Sequence, residues 1–254
     1  MKSTSAIFSE RKHPLTSSMR IAGNQNSLPL SARVYENVGN PLVIDQVDPA
    51  CRRVLDIGCG AGDNAHLLKS RLPHCEVFGI TRSDAEATRA RSSMTECWVD
   101  DIEGDIPDYL QDERFDCLIF SHVLEHVRNP ANVVARLSQL VRKGGQVIIA
   151  VPNVMFVNMR FQFLRGDFEY HPEGGILDDT HLHFYTYFTT DRYLLSGSPD
   201  LHLRRKIVSG HIPLPLLRGR VIPNATAKAI DRWGLRHWPN LFGDQTVIAA
   251  VKFG

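Results

Sequence analysis

Short apolar runs alternate with amphipathic stretches along most of the chain. "RVLDI" (53–57), "EVFGI" (76–80), "ECWVD" (96–100), "FDCLIF" (115–120) and "QVIIAVP" (146–152) hold few polar positions, the pattern of strands covered on both faces. Between them, "NAHLLKSRL" puts Ala65, Leu68 and Leu72 on one helical face, with Leu67 beside them. "SDAE" opens a second helix, with Ser83 as N-cap and Glu86 as its capping-box partner. "NPANVVARLSQLVRKGG" predicts a third, ended by Gly144 and Gly145. Strands separated by helices in this way predict an α/β fold, a doubly wound and mostly parallel sheet with helices on both faces.

The flanks are less regular. Residues 1–31 are rich in Ser, Asn, Lys and Arg without a sustained apolar period, which predicts a loose arm. "ARVYENVGNPLVIDQV" carries Val34, Tyr35, Val38, Leu42, Val43 and Val47, predicting one or two helices interrupted near Gly39 and Pro41. At the other end, "LHLRRKIVSGHI" and "DQTVIAAVKF" read as strands flanking the helix "ATAKAIDRWGLRHW". The whole reads as one domain over 32–254, with residues 154–192 inserted after the fifth strand.

Composition narrows the function more than the fold. Lys and Arg total 29 against 28 Asp and Glu, a formal charge of +1, so no positive field draws the chain to nucleic acid. The five cysteines contain no C-x-x-C pair, which fits neither a disulfide framework nor a zinc ribbon and points to a reducing, cytoplasmic setting. "MKSTSAIFSERKHP" offers only Ala6, Ile7 and Phe8 as an apolar run, so neither a leader nor a membrane span is expected.

The candidate chemistry begins at "DIGCGAG". Ligands of doubly wound sheets lie beyond the carboxyl ends of the strands, commonly beside the first, where bare glycines let a ligand approach the backbone. A dinucleotide site wants G-x-G-x-x-G and an acid after the second strand. This chain has G-x-G-x-G, an acid inside the first strand (Asp56) and Thr81 after the second, which disfavours nicotinamide and flavin.

"VLDIGCGAG" resembles the first motif of class I S-adenosylmethionine-dependent methyltransferases. "DIEGDIP", "RFDCLIFSHVLEHVRNP", "VRKGGQVIIAVPN" and "GILDDTHLHFYT" follow in order and extend the resemblance to small-molecule enzymes of surface-sugar, natural-product and quinone biosynthesis. It covers roughly Tyr35 to Tyr193 and, more weakly, the C-terminal strands. The resemblance implies a seven-stranded sheet whose last strand inserts between the fifth and sixth, and methyl transfer from S-adenosylmethionine to a small-molecule acceptor. It implies that Gly58, Gly60 and Gly62 underlie the methionine part of the cofactor, while Asp56 receives its ammonium; Cys59, which suggests a nucleophile but has no evident base beside it, reads as a small filler. Asp101 and Ile102 would meet the adenine, and Ser121 and His122 would close over the methionine chain. The family carries an acid for the ribose at the end of the second strand, where this chain has Ile80 and Thr81; "GIT" there also resembles cyclopropane-fatty-acid synthases.

On the acceptor side, "HVLEH" sets His122, Glu125 and His126 at helical spacings, read as structural or cofactor-gating, with no metal expected. In "DDTHLHFYT", Asp179, His181 and His183 alternate, which on a strand puts all three on one side. His181 is the expected base or substrate-orienting group, oriented by Asp179, with His183 the alternative base. Arg160, Phe163, Arg165, Phe168 and Tyr170 either line an acceptor pocket or belong to a lid with its own small core. Transfer to a hydroxyl oxygen, in line and with a histidine base, is the expected reaction. The rival readings are a metal-dependent hydrolase built on Asp179, His181 and His183, and a cofactor-binding scaffold without turnover. The basic cluster Arg204, Arg205, Lys206, Arg218 and Arg220 reads as a solvated face.

Overall fold

The computed structural model describes residues 20–21, 35–36, 38–171, 174–213 and 223–253. Seven strands form its sheet: β1 (Arg53–Ile57), β2 (Glu76–Thr81), β3 (Glu96–Val99), β4 (Phe115–Ser121), β5 (Val141–Pro152), β6 (Leu201–Gly210) and β7 (Gly243–Lys252). They lie side by side in the order β3-β2-β1-β4-β5-β7-β6. The first five run parallel, and β7 is antiparallel to both β5 and β6. The expected insertion of the last strand is therefore present.

Alternation along the strands sorts the core into two layers. Leu55, Ile57, Leu118, Phe120, Val147 and Ile149 pack on one face with helix α5 (Pro130–Leu137). Val54, Cys117, Ile119, Ile148 and Val247 pack on the other with α1 (Pro41–Ile44), α2 (Asp63–Arg71) and α3 (Asp84–Ala90). Asp56 shares the parity of Val54, so its side chain enters the second layer.

Local signals place the helix starts. The Asn40 side chain accepts from Val43 N, with Pro41 in the first turn where its missing N–H costs nothing. Ser83 Oγ accepts from Glu86 N at 3.3 Å, the expected cap of α3. The remaining helices are α4 (Asp108–Gln111), α6 (Val157–Leu164), α7 (Thr190–Leu194), α8 (Asn224–His237) and α9 (Pro239–Phe242).

Three expectations are corrected. Tyr35–Glu36 is extended rather than helical, paired antiparallel with Arg20–Ile21; the rest of residues 1–31 lies outside the described residues. Helix α5 ends at Leu137, and β5 begins at Val141, taking in the glycines meant to end the helix. A Cβ on Gly145 would stand 2.8 Å from the Asp116 carbonyl oxygen, so that glycine admits a close crossing of chains. Lys206 is not a solvated basic residue: it pairs with Asp191 and sits 4.5 Å over the Tyr187 ring, while Arg218 and Arg220 lie outside the described residues.

Within the insertion, Phe156, Val157, Met159 and Leu177 make a small core of their own, backed by Phe163, Ile176 and two α9 residues, Leu241 and Phe242. Phe168, Tyr170 and Phe184 stay outside it, exposed and in mutual ring contact.

Candidate active site

β1 runs into the glycine turn, which hangs from β2: Gly58 N and Cys59 N both donate to the Ile80 carbonyl, at 2.9 and 3.0 Å. Gly58, Gly60 and Gly62 have φ of 72°, 53° and 90°, a region costly for side-chain-bearing residues. Two of these glycines also make room for other parts of the chain. A Cβ on Gly58 would fall 2.5 Å from Val123 Cγ2, and one on Gly62 would fall 2.6 Å from Ser93 Oγ and 3.0 Å from Ala90 Cα. The missing side chains admit the loop after β4 and the end of α3. Cys59 is buried with its Sγ 3.6 Å from Cys97 Sγ.

Asp56 is 1 % exposed, and neither carboxylate oxygen has a hydrogen-bond partner among the described residues. Burial pushes its pKa up to about 7; Asn64 beside it pulls the other way, and Asp63 adds to the rise. A buried carboxylate with no counter-charge is among the costlier groups a fold can hold, so this one calls for a cation.

At the end of β2, Thr81 Oγ1 donates to Glu86 Oε2 at 2.5 Å. Glu86, 5 % exposed, thereby brings a carboxylate to the place where the sequence offers only a hydroxyl. Its capping-box spacing concealed this second contact. Beyond β3, Asp101 is half exposed, accepts from Glu103 N at 3.0 Å and stands 3.6 Å from the Arg82 guanidinium. Ile102 is buried in the first core layer, and Ser121 is buried at the end of β4.

The turn after β4 carries the densest polar network. His122 has φ of 55°, unusual for a residue with a side chain. The "LEH" that follows is a 3-10 turn, Leu124–His126, rather than an α-helix. His122 Nδ1 lies 3.3 Å from Glu125 Oε1, and its Nε2 lies 3.0 Å from Gln245 Oε1. Gln245 Oε1 also accepts from Asn40 Nδ2 at 2.8 Å, and Asn40 N donates to Asn64 Oδ1 at 2.8 Å, so the network runs back to the residue beside Asp56. Burial opposes charge on His122, but its contacts with Glu125 and Gln245 prevail and raise its pKa. Burial likewise opposes charge on Glu125, and His122 prevails in holding its carboxyl below the usual range. Asn40 and Gln245 escaped the sequence reading because neither sits in a motif.

The insertion is tied to the same turn. Leu182 N and His183 N donate to the Glu125 carbonyl at 2.8 and 3.2 Å, and His181 Nε2 comes within 4.0 Å of Glu125 Oε1. His181 Nδ1 lies 3.0 Å from the Ile176 carbonyl. Burial lowers its pKa, with Glu125 acting against that.

Here the expected trio separates. Asp179 is exposed in a turn, and Glu125, not Asp179, is the carboxylate facing His181. His183 turns away to the Arg128 carbonyl, 3.2 Å from its Nε2. The segment is not a strand, so alternate positions do not share a side. Among the described residues the group able to converge on an ion is Glu125, His126 and His181. Arg160 is spent on the Met155 carbonyl at 2.7 Å, whereas Phe184 lies edge-on to His181 at 6.3 Å and carries the aromatic patch up to it. A depression of about 400 Å³ elsewhere, lined by Ile106, Arg114 and Leu140 among others, lies toward the amino ends of β4 and β5 and holds none of these residues.

Residues 29–194 match the family described as "Methyltransferase domain". The chain belongs to that methyltransferase family. Among similar proteins, the ubiquinone biosynthesis O-methyltransferase of Aromatoleum aromaticum is 34 % identical over 137 residues, 51 % of this chain and 58 % of that one. A trans-aconitate 2-methyltransferase of an Acidovorax species is 30 % identical over 105 residues, 41 % of this chain and 40 % of that one. The chain spans about half the length of the curated relatives it matches. In fold it resembles an Archaeoglobus fulgidus SAM-dependent methyltransferase, with TM-score 0.52, 20 % identity and 80 % and 87 % of the two chains covered. It also resembles a plantazolicin methyltransferase solved with SAH, with TM-score 0.52, 17 % identity and 80 % and 77 % covered. The fold is that of the class I S-adenosylmethionine-dependent methyltransferases.

Buried residues beside the glycine turn fit that cofactor. S-adenosylmethionine brings an ammonium and a sulfonium, and the Asp56 carboxylate, with two unpartnered oxygens at the end of β1, is a complementary anion. Within the described residues, no helix is long and apolar enough to cross a membrane.

Proposed function

We propose that the protein transfers the methyl group of S-adenosylmethionine to a hydroxyl oxygen of a small molecule. The observation that carries this reading is the buried, unpartnered carboxylate of Asp56 at the glycine turn. When bound, the cofactor supplies a methyl group already activated by a positively charged sulfur, so the chain's task is to bind, align and exclude water.

In this reading Asp56 holds the ammonium, and the turn Gly58–Cys59–Gly60 with Gly62 supports the methionine part. Ser121 and His122 close over it. The ribose falls to Thr81, backed by Ile80 and Glu86, and the adenine to Asp101 and Ile102. The acceptor hydroxyl meets His181 beside Glu125, with its apolar body against Phe168, Tyr170 and Phe184. Two features support an oxygen acceptor: the imidazole and carboxylate lie 4.0 Å apart next to an exposed aromatic patch, and one relative is named an O-methyltransferase. The five free cysteines support a reducing, cytoplasmic location.

Calorimetric titration with S-adenosylmethionine and S-adenosylhomocysteine at pH 8 tests the cofactor half. Asp56→Asn is expected to weaken both by about 10- to 100-fold, the worth of a charge-assisted hydrogen bond. Equal affinity in the two proteins would remove Asp56 from the site. Supplying phenols, hydroxy acids and sugars with the cofactor then tests the acceptor half. Formation of the demethylated cofactor with any hydroxyl acceptor supports the reading, and binding without turnover across the panel favours a scaffold.

A further inference from the structure

We propose that Glu125, His126 and His181 form a binding site for a divalent first-row transition cation such as Zn²⁺, facing the acceptor. One ligand atom from each of the three lies within 4.8 Å of the others. The residues come from two segments more than fifty positions apart, so no single motif in the sequence holds the whole set.

Two independent observations distinguish this cluster from a chance gathering of polar groups. The first is the carboxylate. Glu125 is 1 % exposed, its Oε1 faces His122, and its Oε2 has no hydrogen-bond partner among the described residues. Tyr185 Oη, which feels the Glu125 charge, is likewise buried and unpartnered.

The second is the way both imidazoles are anchored. Thr180 Oγ1 donates its one proton to Asp178 Oδ1 at 2.5 Å, so at its 2.9 Å contact with His126 Nδ1 it must accept. His126 therefore carries its proton on Nδ1. His181 Nδ1 faces the Ile176 carbonyl, which can only accept, so this ring also donates from Nδ1. In their neutral forms both rings are left with a bare Nε2. Metal-binding histidines are held in this way, the far N–H given to a carbonyl or a carboxylate-backed group to set tautomer and ring angle. At His181 the bare Nε2 faces Glu125 Oε1 across 4.0 Å, two electron-rich atoms with a gap between them.

Two imidazoles and one carboxylate suit Zn²⁺, Co²⁺, Mn²⁺ or Fe²⁺ better than Mg²⁺ or Ca²⁺. Ligand atoms around a tetrahedral zinc stand about 3.4 Å apart, so the cluster closes slightly on its ion, with half-buried His126 supplying the movement. Three protein ligands leave a coordination position open. Resting on the proposed transfer to oxygen, that position takes the acceptor hydroxyl, whose proton the cation helps release to solvent. His181 is then a ligand that orients the acceptor rather than its base.

The test uses protein freed of metal by chelation and titrated with Zn²⁺ by calorimetry, and with Co²⁺ by visible absorption. One equivalent is expected to bind with a micromolar or tighter constant, and Co²⁺ to show the absorption of a low-coordinate site. His126→Ala and His181→Ala should each weaken binding at least tenfold. Thr180→Val, which removes only the anchor of His126, should weaken it less. S-adenosylhomocysteine affinity should change little in all three, which also reports that they fold. Zn²⁺ bound equally by the parent and both histidine variants would mean ions held by other histidines and would overturn the site. So would a parent that binds S-adenosylhomocysteine but no metal, and in that case the methyltransferase reading would stand. Metal bound at the cluster without any cofactor binding would instead keep the site and sink that reading.

Discussion

Two carboxylates in this molecule are equally buried, Asp56 and Glu125 at 1 % exposure each, yet they rest in opposite states. Among the described residues Asp56 has the Asn64 amide beside it but no cation, and burial lifts its pKa to about 7. Glu125 has the His122 imidazole 3.3 Å away, and each favours the charged form of the other, raising the histidine's pKa and lowering the glutamate's. Burial alone therefore says little about a buried acid; what differs is whether the fold itself supplies the cation. At the end of β1 it does not, and a ligand must bring it. After β4 it does for one oxygen, which leaves the other open.

The sharpest way to break this comparison is to remove each acid. Glu125→Ala leaves a partly buried imidazole without its counter-charge, and the expected loss is about 2–3 kcal/mol of unfolding free energy. The loss should be greatest near pH 6. Glu125, with its pKa depressed, contributes above its unfolded value of about 4.5 and loses that contribution as pH falls. His122, with its pKa raised, contributes fully below about 6.5 and loses it as pH rises through the folded value. Urea melts across that range check it, and a loss under 1 kcal/mol would mean that the pair is not charged.

Asp56→Asn should do the reverse in the ligand-free protein. A raised carboxyl pKa stabilises the fold below about pH 4, and that stability is lost as pH rises toward about 7. The asparagine variant should then be more stable than the parent by about 2 kcal/mol at pH 8, with an upper bound near 4, and the gain should vanish at pH 4. A gain independent of pH would point to packing instead of charge.

The smallest effect concerns the contact between the two turns. Gly58→Ala puts a side chain at φ of 72° against Val123 Cγ2, expected to cost about 1–2 kcal/mol. Adding Val123→Ala should return the steric part, a coupling of about 0.5–1 kcal/mol in a double-mutant cycle. Strict additivity would mean that the two turns are not packed as described.

Legibility followed the range of the interactions. β1 to β4 lie within a residue or so of the apolar runs that predict them, because short apolar runs and a capping serine are local. The end of α5 was misplaced because Gly144 and Gly145 look like a stop from the sequence, whereas the space around Gly145 shows a strand crossing. Glu86 and Gln245 were not legible as site residues, since the first is occupied by a cap and the second lies in an ordinary strand.

The sequence by itself determined the sheet, the glycine turn and the acid before it, all written in runs of a few residues whose periodicity or backbone freedom leaves little choice. Only the tertiary structure decided who faces whom. It set Glu125 rather than Asp179 against His181, turned His183 to a carbonyl, and linked Asn40 to His122 through Gln245. Such contacts join segments far apart in the chain, and no local pattern encodes the packing that brings them within a few ångströms.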